Sequence, residues 1–99
     1  MIERHWTGVV KKEKAEDYIV FLRNEIFPHL HDLDGFLSAK ILTMELKDGI
    51  EFLVISQWRK IENVKAFAGE DINVAVIADK AKEMMIRYDK FARHYELQI

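Results

Sequence analysis

Near the end of this chain Arg93, His94 and Tyr95 stand side by side, bringing a guanidinium, an imidazole and a phenol together. Histidine titrates near neutral pH, so His94 could act as a general base, with Arg93 stabilising the anion it creates. Neighbouring strand residues point to opposite faces, so His94 and Tyr95 share a pocket only if the strand bulges. A structural hydrogen bond to His94 is therefore preferred to a His94–Tyr95 dyad. Arg4 and Arg93 are both candidates to point inward, where they would pair with a carboxylate or enolate ligand, or with a protein acid such as Glu51. His5 could approach His94 if their strands are neighbours, and Glu3, His5, His94 and Glu96 have the parity to be considered together. Strand spacing is not a metal signature, however, and no metal is expected. His29 and His31 fall at a helix end, where cationic imidazoles suit the carbonyl dipole, and are read as exposed.

Trp58 closes the run Glu-Phe-Leu-Val-Ile-Ser-Gln-Trp that begins at Glu51. It could stack on a planar ligand, or fill the core with its indole N–H on a nearby acceptor, and the core reading is preferred. Phosphate-binding glycine loops, serine-nucleophile motifs and zinc patterns are all missing. Cysteine is absent, which removes disulfides and thiolate chemistry. The 15 Lys plus Arg and 17 Asp plus Glu are scattered in both signs, so no nucleic-acid partner is expected. No run approaches the roughly 18 apolar residues of a membrane span, nor is there an apolar signal core at the N-terminus. A cytoplasmic protein is the expectation.

Positioning these residues takes a single domain over residues 1–99. Ile2 to Val10 suits a strand with two distinct faces. Ala15, Tyr18, Ile19, Leu22, Ile26 and Leu30 recur at helical spacing, and Pro28 predicts a kink or an altered last turn near Phe27. Gly35 permits a positive φ that redirects the chain into a strand over 36–46. Asp48-Gly49 marks a hairpin to a partner strand, Ile50 to Trp58, that is apolar on both parities. Ile61, Val64, Phe67 and Ala68 fit a short helix ended by Gly69, and residues 71–77 are apolar but aperiodic. A last helix starting near Asp79 would carry Ala81, Met84, Met85 and Tyr88 inward, before a terminal strand over 91–99.

The order strand, helix, strand, strand, helix pair, strand predicts an α+β fold: a ferredoxin-like βαββαβ unit with an antiparallel sheet. Its helices cover one sheet face. The other face, apolar along several strands, predicts a homodimer packed sheet to sheet.

The opening strand, Phe27-Pro28, Gly35-Phe36, Val54 to Trp58, Ala66 to Gly69 and Arg93 to Glu96, in this order and spacing, resemble the antibiotic biosynthesis monooxygenase-like domains of the dimeric α/β-barrel superfamily. The resemblance covers the whole chain. It implies a cavity between helices and sheet, lined by Trp58, Phe67, Val54, Met84 and Arg4, that takes a small aromatic molecule or quinol. Relatives oxidise phenols with dioxygen and no cofactor, or bind haem. The amide that the first group carries on the tryptophan's strand face is missing, since Val54 and Ser56 hold the matching positions. No histidine lies within 61–68, which argues against haem. The resulting expectation is a cofactor-independent monooxygenase-like protein, with His94 or a water as base and Arg4 or Arg93 on the anion. The alternative is a non-catalytic ligand-binding or stress-response module using the same cavity.

Overall fold

The computed structural model describes residues 1–99 and has an antiparallel five-stranded sheet with its helices on one face. Strand β1 (Ile2–Val10) is central. It pairs along its whole length with β3 (Ile50–Trp58), which pairs in turn with β2 (Phe36–Glu45) across the predicted Asp48-Gly49 hairpin. The other edge of β1 is shared by two short strands, with β4 (Met85–Tyr88) beside Gly8 to Val10 and β5 (Arg93–Glu96) beside Ile2 to His5.

The first helical stretch runs as α1 (Ala15–Phe21), a π turn (Leu22–Ile26) and α2 (Phe27–His31). Pro28 has no N–H for the carbonyl of Asn24 four residues back, and its ring would press on that carbonyl. The wide turn relieves this conflict: the Phe27 N–H reaches back to the Leu22 carbonyl, five residues away. This is the altered turn expected near Phe27. The Asp34–Gly35 turn also follows the reading, with Gly35 at φ 79, and the Asn63 side chain packs where a Cβ on Gly35 would lie. A 3-10 turn (Ile61–Val64) and α3 (Lys65–Ala68) fill the next predicted helix.

The last third of the chain differs from the reading. Helix α4 is a single turn (Asp79–Lys82), and Met85 to Tyr88 is strand β4 instead of a helix face. Met85 and Tyr88, which a helix would have carried inward together, pair with β1 instead, through Val10–Met85 and Gly8–Tyr88, with a bulge between Val9 and Val10. The predicted terminal strand over 91–99 is ordered as a strand only over Arg93 to Glu96. Between β4 and β5 the chain leaves the edge of β1, and Phe91 forms an isolated bridge with Val74. Backbone bonds from Ala75 N to Lys90 O and from Ala92 N to Asn73 O fasten residues 71–78 there as a strap.

Two apolar clusters fill the space between helices and sheet. The larger holds Val10, Tyr18, Phe21, Leu22, Phe52, Ala81, Met84 and Met85; the smaller holds Leu30, Trp58 and Val64. The functional question concerns the gap between them.

Candidate functional site

The gap is a cavity of about 60 Å³ lined by residues of both clusters, including Tyr18, Leu22 and Leu30. The π turn and α2 supply Ile26 and Phe27, α3 supplies Phe67, and the strap supplies Val76. Its floor is the inner face of the two central strands, where Arg4 stands opposite Ser56 and Trp6 opposite Val54. Trp6 is held by its indole N–H, which donates to the Asp89 carbonyl at 2.8 Å. Its ring lies over Gly8, where an added Cβ would come within 2.6 Å of it, so glycine makes the room that Trp6 occupies.

Arg4 is only 4% exposed, yet it forms no ion pair with any carboxylate. Its guanidinium donates to the carbonyls of Ile72 and Val74 in the strap and to Nε2 of His94 at 2.8 Å, and it lies 5.7 Å from the centre of the Phe67 ring. Burial lowers its pKa to about 10, which leaves it charged at neutral pH. Because arginine can only donate, His94 must accept through Nε2 and carry its proton on Nδ1. Burial, and then the Arg4 charge, push the His94 pKa below its ordinary value. Both effects favour the neutral ring.

Of the residues expected to line the cavity, Arg4, Val54 and Phe67 do so. Trp58 is fully buried behind the lining, in the smaller cluster with Leu30 and Val64, and its Nε1–H donates to Ser56 Oγ at 2.9 Å. Met84 belongs to the larger cluster and also lies off the lining. Of the two catalytic candidates, His94 faces inward but supports Arg4 from behind, with the lone pair a base would use already engaged. Arg93 pairs with His5 on the opposite sheet face, so it cannot reach the cavity. The same alternation separates His5 from His94. His5 instead contacts Glu3 at 3.0 Å and the Tyr95 ring at 4.9 Å, and no group of side chains is arranged to hold a metal.

Eight of the eleven lining residues are not among those expected to line it, and three of these, Trp6, Ser56 and Tyr18, bear on the chemistry. Trp6 was seen only as a strand residue, although its parity matches Arg4. Ser56 was noted only as a position lacking an amide. Tyr18 was assigned to the core, where it is indeed buried, 5.0 Å from the Phe52 ring. The residue also lines the cavity, and burial alone raises its pKa, so it stays protonated.

No family model and no curated protein matches this sequence. Its fold, however, is that of solved antibiotic biosynthesis monooxygenase-like structures. One is a Bacillus cereus protein provisionally described as an antibiotic biosynthesis monooxygenase, with TM-score 0.62, 18% identity, and coverage of 99% of this chain and 91% of that one. Another is the ActVA-Orf6 monooxygenase of Streptomyces coelicolor in complex with nanaomycin D, with TM-score 0.61, 16% identity, and coverage of 98% and 87%. The chain thus shares the ferredoxin-like α+β fold of these structures.

Proposed function

We propose that this protein is a small cofactor-independent oxygenase acting on a phenol or quinol bound between the sheet and helices. The observation that carries the proposal is an apolar cavity walled by Trp6, Tyr18, Phe27 and Phe67, in a fold shared with a monooxygenase solved in complex with nanaomycin D. Of the two arginines considered for the anion, Arg4 is the one that lines this cavity. A phenol deprotonated beside Arg4 is electron-rich enough to reduce dioxygen itself: one oxygen atom enters the ring, which becomes a quinone, and the other leaves as water. With His94 engaged by Arg4, water is the base this reading favours.

Oxygen uptake by metal-free protein with a panel of phenols and quinols tests the proposal. Turnover dependent on Arg4 is expected. Stabilisation by these compounds with no oxygen consumed would instead favour the non-catalytic binding module.

We also propose that two copies pack through the outer sheet face, where Leu42 and Met44 remain exposed beside Leu53 and the better buried Ile55. This interface would repeat the same patch on each subunit. Sedimentation at micromolar concentration should give a dimer, and a monomer would refute it. No helix is long and apolar enough to cross a membrane, and the cytoplasm remains the proposed compartment.

A further inference from the structure

We propose that the cavity is a seat for the oxyanion of a planar apolar acid or phenol, held between Arg4 and Ser56. The proposal rests on reading the cavity as a ligand site, but it does not require that the ligand be turned over. The two side chains are register partners on β1 and β3, both point into the cavity, and both are more than nine-tenths buried. Arg4 has five N–H donors. Three donate to neutral acceptors, the Ile72 and Val74 carbonyls and His94, and Nε makes no hydrogen bond. A buried guanidinium facing only neutral acceptors retains its full charge, at a cost that an anion beside it would offset.

Ser56 adds a second donor. Its oxygen accepts from Trp58 Nε1, and its own O–H donates to no protein acceptor. Tyr18, which also lines the cavity, carries a second hydroxyl whose O–H donates to no protein acceptor. The cavity wall carries no carboxylate, amide or imidazole. It is therefore rich in donors and poor in strong acceptors, and its one formal charge is positive.

Size sharpens the ligand class. A dry cavity that takes benzene has roughly 150 Å³, so the 60 Å³ here admits an oxyanion head but not the ring attached to it. A ring must displace the strap where Val76, 50% exposed, forms a thin outer wall. Moving the strap draws the Ile72 and Val74 carbonyls away from Arg4. An oxyanion replaces those lost acceptors, whereas a neutral ring of the same shape leaves Arg4 unsatisfied. The seat thus selects charge before shape.

The test measures binding calorimetrically under nitrogen, so that turnover plays no part. Benzoate is paired with benzamide, and 4-nitrophenolate with 4-nitroanisole, against wild type, Arg4→Met, Arg4→Lys and Ser56→Ala. At least one anion should bind about tenfold or more tightly than its neutral partner, as expected when a hydrogen bond to a charged group is satisfied or lost. Which pair discriminates separates a carboxylate ligand from a phenolate. Arg4→Met should bring the ratio to near one, and Arg4→Lys and Ser56→Ala should each reduce it. If Arg4→Met does not fold, the other two variants carry the test. Equal binding of anion and neutral partner by wild type would overturn the oxyanion seat while leaving the cavity as a ligand site. Failure of all four compounds to bind, or an anion preference unchanged in the folded variants, would also overturn it. Anion binding without oxygen uptake would sustain this inference and defeat the oxygenase.

Discussion

The two ends of the inner sheet face solve the same packing problem differently. At the Trp58 end the indole is fully buried in a cluster with Leu30 and Val64, its N–H is satisfied by Ser56, and it lines no cavity. At the Arg4 end a charge is buried without an acid, the O–H groups of Ser56 and Tyr18 donate to no protein acceptor, and a cavity remains. Close packing is the rule in protein interiors, and buried charges are ordinarily paired. The first end follows both rules and the second breaks both. Local departures of this kind, in a chain otherwise consistent with its fold, concentrate at functional sites. Ser56 joins the two ends, with its oxygen serving the structural tryptophan and its proton left for the cavity.

The contrast can be broken most strongly at its filled end. Trp58→Ala should cost about 3–5 kcal/mol, read as a lower urea midpoint with an unchanged slope, because nothing nearby can collapse into the space of a fully enclosed indole. A loss below about 1 kcal/mol would mean that this end is not the rigid anchor described. Gly8→Ala attacks the other end by pushing the Trp6 ring into the cavity. The forced contact should cost about 1–3 kcal/mol and weaken ligand binding. Unchanged stability would show that Trp6 has room to move.

A subtler effect should appear with pH. The His94 pKa is lowered in the folded state by burial and by Arg4, so the unfolded chain binds the proton more readily. His94's neutral form contributes fully above the unfolded value of about 6.5. As pH falls from there toward the lower folded value, stability should decline, and below both it should level off. His94→Gln should flatten this part of the urea-midpoint profile, and a slope unchanged in that variant would assign it to other groups. The smallest effect belongs to the exposed Arg87–Asp48 pair at 2.7 Å, where Asp48→Asn should leave the melting temperature unchanged within error.

How far the sequence could be read follows the same division. Strands β1 to β3 were legible because their apolar residues and turn signals leave one reading, and Pro28 gave away the altered helical turn because its missing N–H must be accommodated somewhere. Met84 to Tyr88 was not legible. Its apolar residues fit a helical spacing as well as a strand, and the pairing with Gly8 and Val10 that decides between them is distant in sequence. The strap is held by backbone bonds to residues 90–92 and by Arg4, which leave no periodic trace in side-chain types.

At the site, parity puts Val54 and Ser56 on the strand face of Trp58, and Arg4 is one of two arginines expected to point inward, but its place opposite Ser56 comes from the strand register. The same parity that parts His94 from Tyr95 also parts it from Arg93, so that pair could have been separated from sequence alone. Trp6 carried a signal as well, since a glycine two residues along on the same strand face leaves room for a large ring. That the His94 lone pair is spent on Arg4 was beyond reach, because it depends on how two strands far apart in the chain are paired.

The central claim is that the space beside Arg4 is a ligand site and not a packing defect. Val54→Leu, which adds one methylene to the floor opposite Trp6 without bringing in a ring, tests this most directly when stability and ligand binding are measured on the same sample. The account predicts stability unchanged or raised by about 0.5–2 kcal/mol, as for other cavity-filling substitutions, together with loss of binding by whichever aromatic oxyanion the wild type takes up. Undiminished binding in the filled variant would contradict it.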